Sequence, residues 1–307
     1  GYFCPMSILD SIPEAIEVIR KGGVIIVVDD EDRENEGDFI TAARSVTPDI
    51  INFMVTHGRG LVCAPLIESR CDALELDLMI KTNNAAYETP FTVSVDLLGN
   101  GCTTGISTSD RAKTVQALIN PDTKPYELGK PGHIFPLRAK AGGVLRRNGH
   151  TEAAIDFARL AGFEPAGVIV EILNEDGSMA RLPELKKLAE KHDMKLVSIA
   201  DLIAYRLENE TLIERTAEVI LNTAYGPFNA ISYKQLTDDV EHLALVKGTW
   251  DVDEAVPVRV HASSMIGDVF QVSDLGKGPQ LRAAMAQIER EGKGTIVFIN
   301  KLHQGGG

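Results

Sequence analysis

The chain has 307 residues, 44% of them hydrophobic and 24% charged, which is the composition of a globular protein long enough for two domains. Its formal net charge of -13 disfavours non-specific binding to nucleic acid or anionic membranes, and no apolar run approaches the roughly 18 residues of a membrane span. The four cysteines show no CxxC spacing and the N-terminus lacks the basic and apolar regions of a signal peptide, so we expect a cytoplasmic protein with reduced thiols.

The first two-thirds of the sequence alternates between helical and strand patterns. Ser11 and Glu14 form a predicted capping box, and the helix that follows ends near Arg20. Further helices are predicted at 48–57, 69–78, 110–120, 151–160, 183–192 and 200–208, and strands at 24–28, 60–66, 89–96, 132–139, 166–173 and 195–199. This alternation predicts an α/β domain of the α+β type, with a mixed sheet flanked by helices.

The acidic run 29–38 directly follows the predicted strand 24–28. Its carboxylates repel one another unless a positive charge lies among them, and Arg33 or a divalent cation would supply that charge. Gly37 would allow a tight turn beside a ligand. The alternative is an ordinary solvated loop, but the position after a buried strand favours a functional site.

Three further segments are candidates for a site, and each has a structural alternative. The hydroxyl-rich segment 101–111 precedes a predicted helix, where it is either a phosphate-binding loop or a plain capping loop. His150 lies where a loop meets a helix, beside Gly149 and Arg147, although a lone histidine is more often structural. Glu171 interrupts an apolar strand, so it is paired, bound to a metal or protonated, unless it simply points to solvent.

Five segments, in order and at compatible spacing, resemble 3,4-dihydroxy-2-butanone 4-phosphate synthase. They are 29–38, 83–95, 103–111, 138–145 and 147–152, and the resemblance extends from about residue 8 to residue 206. It implies a lyase of riboflavin biosynthesis that converts D-ribulose 5-phosphate to 3,4-dihydroxy-2-butanone 4-phosphate and formate. It also implies a homodimer that uses Mg²⁺, with Mn²⁺ as a substitute.

The same resemblance implies roles for individual residues. Glu34 and His150 correspond to metal ligands, and the residues that correspond to catalytic groups are His133, Glu171 and Asp38. The implied substrate contacts are Arg33, Glu34, Asp38, Thr104, Ser107, Arg147, Asn148, Gly149, His150, Thr151 and Glu171. These residue types suit the reaction, because enolising a sugar phosphate needs a Lewis acid, proton-exchanging groups and cations for the phosphate. Cys63 is expected to fill the core, and a place near the pocket is the alternative.

After a charged connector at 207–215, the sequence resembles GTP cyclohydrolase II. The matching segments are 225–228, 242–248, 258–261, 267–270 and 278–281. The three cysteines that hold zinc in that family are replaced by Ser264, Leu275 and Lys277, and Asp274 replaces an arginine. Because a leucine offers no ligand atom, we expect neither bound zinc nor cyclohydrolase activity. His261 and His303 are candidate replacement ligands, but without a nearby cysteine a structural role is favoured.

The sequence therefore predicts a synthase domain at 1–206 and a smaller α+β domain at 216–307, a degenerate and incomplete relative of cyclohydrolase II. The role of this second domain stays open among stabilising the dimer, docking a partner enzyme and binding a regulatory nucleotide. One alternative is a bifunctional enzyme with an unusual metal site. The other is a non-catalytic binding or scaffold protein, which the intact set of synthase site residues disfavours.

Overall fold

The computed structural model describes residues 9–269 and 277–301. The chain divides into two units between Asn209 and Glu210. The last helix of the first unit continues to Asn209 and the next strand begins at Ile213, so only residues 210–212 of the predicted connector lie outside regular structure. No helix in the described ranges is long and apolar enough to cross a membrane.

Part of the second unit falls outside the described residues. Four of the positions named from the sequence are affected, namely Phe270, Asp274, Leu275 and His303. Ser264 and Lys277 are described and can be placed.

The first unit alternates helices and strands. Its helices are α1 (Ile12–Arg20), α2 (Pro48–Gly58), α3 (Glu68–Ala73), α4 (Thr108–Ile119), α5 (His150–Leu160), α6 (Leu182–His192) and α7 (Ile199–Asn209). Its strands are β1 (Ile25–Val28), β2 (Gly37–Ala42), β3 (Cys63–Ile67), β4 (Val95–Leu97), β5 (Leu128–Ala139), β6 (Gly167–Glu171) and β7 (Leu196–Ser198). The strands form one sheet in the order β4-β5-β3-β6-β2-β1-β7.

The sheet is mixed, and helices cover both of its faces. Strand β1 runs parallel to β7, and β3 runs parallel to β5, whereas the other neighbours are antiparallel. Because successive strand residues point to opposite faces, Phe39 packs with α2, α4 and α6, and its neighbour Ile40 packs with α1, α5 and α7. This architecture confirms the predicted fold class of a mixed sheet flanked by helices.

Three elements differ from the sequence prediction. Strand β2 was not predicted, because its apolar run is short and follows polar Asp38, yet every residue of β2 is buried. The predicted strand at 89–96 is reduced to β4, which pairs Val95 with Ile134. The predicted helix at 69–78 ends at Ala73, because Glu75 adopts a positive φ of 52° that a right-handed helix cannot continue.

The second unit is a smaller α+β fold. Its elements are β8 (Ile213–Thr223), β9 (Gly226–Gln235), β10 (Glu241–Lys247), β11 (Val258–Ala262), α8 (Lys277–Glu291) and β12 (Gly294–Ile299). The strands form a sheet in the order β11-β12-β10-β9-β8, in which only β11 and β12 are parallel. A small core joins α8 to the sheet through Phe228, Met285, Ile288 and Ile296.

Candidate active site

The acidic loop between β1 and β2 is organised by the carboxylate of Asp29. Its Oδ1 accepts a hydrogen bond from the peptide N–H of Glu36 at 2.8 Å, and its Oδ2 accepts one from that of Glu34 at 3.2 Å. The same Oδ2 lies 2.8 Å from Nη1 of Arg33. Several hydrogen bonds and a neighbouring guanidinium stabilise the ionised form of a buried carboxyl group. The loop is therefore folded around its own first carboxylate.

Arg33 connects this loop to the segment that precedes β4. Its Nη1 also lies 3.0 Å from Oε2 of Glu34, so it balances two carboxylates at once. The guanidinium lies over the ring of Tyr87, 5.1 Å from the ring centroid, and the Tyr87 hydroxyl donates to the Arg33 carbonyl at 2.5 Å. Tyr87 thereby contacts both the guanidinium and the backbone carbonyl of Arg33.

His150 is the first residue of α5 and is buried behind the acidic loop. Its Nε2 lies 3.1 Å from the carbonyl oxygen of Val27, which can only accept, so Nε2 carries the proton and Nδ1 keeps a free lone pair. Nδ1 lies 4.0 Å from Oε2 of Glu34 and 3.9 Å from Oδ1 of Asp38. Burial lowers the pKa of His150 to about 4, which favours the neutral imidazole that a metal ligand requires.

Two further acids meet on the neighbouring strands. Asp38 on β2 is the register partner of Glu171 on β6. Burial, with the added repulsion of Glu171 and Glu34, raises the pKa of Asp38 well above its usual range. Burial also raises the pKa of Glu171, whose Oε2 accepts the peptide N–H of Leu61 at 2.8 Å. A side chain at Gly60 would lie 2.5 Å from this Oε2, so glycine is needed for the close approach.

These residues enclose a cavity of about 160 Å³. It is lined by Arg33, Glu34, Glu36, Asp38, Cys63, Thr89, Phe91, Leu137, Arg147, His150, Thr151, Ile169 and Glu171. Seven predicted site residues are therefore brought together by a single chain. Cys63 lines the same cavity while its body packs in the core, and burial raises the pKa of its thiol, which keeps it protonated.

Asn148 and Gly149 lie at the rim rather than in this lining. Asn148 lines a wider basin of about 690 Å³ that shares Arg33 and Arg147 with the cavity. Gly149 is the residue before α5, and a Cβ on it would overlap Nη1 of Arg147 and lie 3.0 Å from Nη2 of Arg33. A glycine at this position therefore lets two arginines converge.

The remaining predicted residues form a second group beside β4 and β5. The Nδ1 of His133 lies 2.6 Å from Oδ2 of Asp96, and its peptide N–H donates to Oδ1 at 2.8 Å. The loop that carries Thr104 and Ser107 approaches the same aspartate, because a Cβ on Gly105 would overlap the Asp96 carboxylate. Ser107 caps α4, accepting from the Asp110 N–H at 3.0 Å. Among the described residues that line the cavity, none belongs to this second group.

The donor set behind the acidic loop fits a hard divalent cation. Ligand atoms of Asp29, Glu34 and His150 lie within 4.8 Å of one another, and in the described ranges this is the one such group of three. Oxygen and neutral imidazole donors suit Mg²⁺ or Mn²⁺. Asp29 already accepts hydrogen bonds on both oxygens, which leaves Glu34 and His150 with the freer ligand atoms.

Sequence reasoning missed four residues of this arrangement, namely Asp29, Glu36, Tyr87 and Glu152. Asp29 and Glu36 lie within the acidic run, and Tyr87 and Glu152 lie within segments that carried the resemblance, but no local pattern distinguished them. Asp29, Tyr87 and Glu152 contact Arg33 or Arg147, and Glu36 donates its peptide N–H to Asp29. Sequence spacing does not reveal these contacts.

In the second unit, the described cyclohydrolase II positions have structural partners. The Ser264 N–H donates to Oδ2 of Asp268 at 2.8 Å, and Nε2 of His261 lies 3.0 Å from both Asp268 oxygens. His261 is buried and stacks on Phe298. The free cysteines of the described chain, Cys63, Cys71 and Cys102, all belong to the first unit.

Comparison with known proteins matches both units. The sequence model of the 3,4-dihydroxy-2-butanone 4-phosphate synthase family matches residues 13–205, and that of GTP cyclohydrolase II matches residues 214–307. The riboflavin biosynthesis protein RibBA of Cytophaga hutchinsonii is 63% identical over 297 residues, which cover 97% of this chain and 73% of the relative. RibBA of Bacillus cereus is 54% identical over 294 residues, covering 96% and 74%.

Solved structures agree with these matches. RibBX of A. baumannii, a two-domain 3,4-dihydroxy-2-butanone 4-phosphate synthase, superposes with a TM-score of 0.75 at 45% identity, covering 94% of this chain and 81% of that one. A 3,4-dihydroxy-2-butanone 4-phosphate synthase in complex with two magnesium ions gives a TM-score of 0.63 at 42% identity, covering 66% and 98%. The chain thus belongs to the 3,4-dihydroxy-2-butanone 4-phosphate synthase family and is an enzyme of riboflavin biosynthesis.

Proposed function

We propose that the first unit acts on D-ribulose 5-phosphate with a divalent cation held by Glu34 and His150, and that the second unit does not hydrolyse GTP. The observation that carries the first proposal is that Asp38, 3.9 Å from Nδ1 of His150, lines one cavity together with its register partner Glu171. An imidazole ligand and a pair of proton-exchanging acids are the parts that enolisation requires.

Mg²⁺ is the proposed cation, and Mn²⁺ is the proposed substitute. When bound, such a cation polarises a carbonyl and the neighbouring hydroxyls as a Lewis acid. The magnesium complex of the related synthase supports this choice, as does the oxygen and imidazole donor set described above.

Asp38 and Glu171 are proposed to exchange protons with the substrate carbons and hydroxyls. Because both carboxyls have raised pKa values, each can hold a proton nearer to neutral pH than an exposed carboxyl can. Proton transfer by such a group is most effective when its pKa lies near the working pH. The Leu61 N–H donates to Oε2 of Glu171 and thereby positions this carboxyl.

The phosphate group is proposed to bind Arg147 and the start of α5. Arg147 presents a fork of N–H donors, which matches phosphate oxygens, and Thr151 adds a hydroxyl in the first turn of the helix. The wider basin beside the cavity adds Lys140 and Arg146. Its four cationic side chains outnumber by one its three acids, Asp30, Asp32 and Glu88.

A homodimer is proposed to complete the site. His133, Thr104 and Ser107 have the residue types of a catalytic group, but in one chain they lie beside Asp96 rather than in the cavity lining. Large apolar side chains are exposed near them, including Leu98 and Ile106, each more than half exposed. An apolar surface next to polar site residues suits a contact between copies, through which one copy would bring His133 to the other's cavity.

Formate release tests the proposed synthase activity. The purified chain is incubated with ribulose 5-phosphate in Mg²⁺, in Mn²⁺ and in EDTA, and formate is assayed. We expect formate with either metal and none with EDTA, and we expect Glu34→Ala and His150→Ala to abolish it while circular dichroism stays native. Formate in EDTA, or near-normal rates in either variant, would refute the metal assignment. Absence of formate under every condition would favour a non-catalytic binding protein.

The proposed inactivity of the second unit rests on its ligand positions. Ser264 and Lys277 stand where the cyclohydrolase family has cysteines, and the described residues of the second unit contain no cysteine. The purified chain is expected to contain no stoichiometric zinc and to leave GTP unchanged. Zinc together with GTP turnover would establish the bifunctional alternative.

The free thiols of the described cysteines also agree with the cytoplasmic location that we propose.

A further inference from the structure

Glu152 is a buried carboxylate with two defined partners. It is the third residue of α5, and its side chain has no exposed surface. Oε1 accepts the peptide N–H of Lys140 at 3.0 Å, and Oε2 lies 2.7 Å from Nη1 of Arg147. Burying a carboxylate is costly unless it is paired, so this arrangement depends on the arginine. Glu152 is not among the described residues that line the cavity or the wider basin.

The guanidinium of Arg147 is held from several sides. Its Nη2 donates to the carbonyl of Tyr87 at 3.1 Å, and a Cβ added at Gly149 would lie 2.4 Å from Nη1. Its side chain is 16% exposed and lines both the cavity and the wider basin. An arginine has five N–H donors, so the two described hydrogen bonds leave donors for a ligand.

We propose that Glu152 is a positioning residue that sets the guanidinium fork of Arg147 for the substrate phosphate. This inference rests on the proposed function, in which Arg147 binds that phosphate. Without the carboxylate, the long arginine side chain would regain rotamer freedom, and part of the binding free energy would be spent on ordering it again.

If Glu152 had a purely structural role, Glu152→Gln would leave substrate binding unchanged. Glutamine at 152 fills the same volume, and its amide oxygen can still accept the Lys140 N–H. Its amide nitrogen would then face Nη1 of Arg147, donor against donor, so the fork would turn away. The substitution Glu152→Gln therefore removes the positioning of Arg147 and keeps the packing and the backbone contact.

The test compares steady-state constants of the full chain with Mg²⁺. For Glu152→Gln we expect the KM for ribulose 5-phosphate to rise roughly 10- to 100-fold, the range for one charge-assisted hydrogen bond, with little change in kcat. Inhibition by inorganic phosphate should weaken by a similar factor. Asp72→Asn is the matched control, because it removes a carboxylate from Arg138, outside the cavity, and should leave KM unchanged.

Two further variants keep the inference testable if Glu152→Gln does not fold. Glu152→Asp retains the charge but withdraws it by one methylene group, and should raise KM as well. In a double-mutant cycle, Arg147→Lys should raise KM by a smaller factor in the Glu152→Asp background than in the wild type, so that the double effect is less than the product of the single effects. A folded, active Glu152 variant with unchanged KM and phosphate inhibition would overturn the inference. A wild-type chain that makes no formate would instead refute the proposed function.

Discussion

Asp38 and Glu171 are direct register partners on the adjacent antiparallel strands β2 and β6. Burial and the nearby charge of Glu171 both raise the pKa of Asp38. The sheet thus supplies two carboxyls to the cavity that His150 also lines. A site built on strands is held more rigidly than one built on loops.

Neutralising Asp38 should separate activity from stability. Asp38→Asn is expected to lower formate release by about 10²–10⁴-fold, the range for a lost acid–base group. The melting temperature should stay equal or rise, because a buried carboxylate beside Glu171 costs free energy of folding. Initial rates and thermal unfolding followed by circular dichroism measure both. A rate within threefold of wild type would exclude an acid–base role for Asp38.

Placement of Glu171 should depend on Gly60. A Cβ at residue 60 would lie 2.5 Å from both the carbonyl oxygen and Oε2 of Glu171, so Gly60→Ala must shift the backbone or the carboxylate of Glu171. We expect either movement to disturb the hydrogen bond from the Leu61 N–H. Turnover should fall to the level of Glu171→Gln, while Mg²⁺ binding, measured by calorimetry, is retained. If Gly60→Ala stays as active as wild type, the Leu61 contact has no catalytic consequence.

Asp29 should control metal affinity through the loop that it organises. Asp29→Asn removes the charge opposite Arg33 and one acceptor for the loop N–H groups, so the Mg²⁺ dissociation constant should rise roughly 10- to 100-fold, as for lost outer-sphere partners of metal ligands. The matched control is Glu31→Gln, an exposed acid of the same loop. Equal affinity in both variants would mean that Asp29 contributes only general negative charge.

The first unit should fold and act without the second. A chain ending at Asn209 retains all of α7, including Arg206, whose Nη1 lies 2.8 Å from Oδ2 of buried Asp156. It should release formate at a measurable rate. A chain ending at Ile203 loses Arg206 and leaves Asp156 with only the Val144 N–H and Arg159, whose Nη2 lies 3.5 Å away. Losing a partner of a buried charge costs up to about 3–5 kcal/mol, so this chain should unfold at a lower temperature. Unfolding of both truncated chains would show that the second unit supports the first.

Mixing two inactive variants should restore activity if the site spans two copies. Glu34→Ala damages the cavity and His133→Ala damages the group beside Asp96, so a mixed dimer contains one intact site. Random exchange of subunits makes half of the dimers mixed, and we expect about a quarter of the wild-type formate rate. The control is a mixture of the same two variants, prepared under conditions in which their subunits do not exchange. No recovery after verified exchange would place both groups in the same chain's site.

Local patterns predicted much of the fold but little of the site's construction. The capping box at Ser11 and the apolar run of β1 are both local, and both were predicted. Strand β2 was missed because a buried Asp38 resembles the end of a polar loop. Likewise, the pairing of His133 with Asp96 joins residues from β5 and β4, a relationship that no local window contains.

Strand order in the first unit also constrains how the protein is made. Strand β1 pairs with β7, so Ile26 lies beside Leu196 from the far end of the unit. At ~5–20 residues per second, a ribosome needs roughly 10–30 s to synthesise the intervening chain. Throughout that time the fully apolar β1 has an uncovered edge, which is a template for aggregation. Nascent chains stalled before β7 are therefore expected to be held by chaperones until the sheet can close.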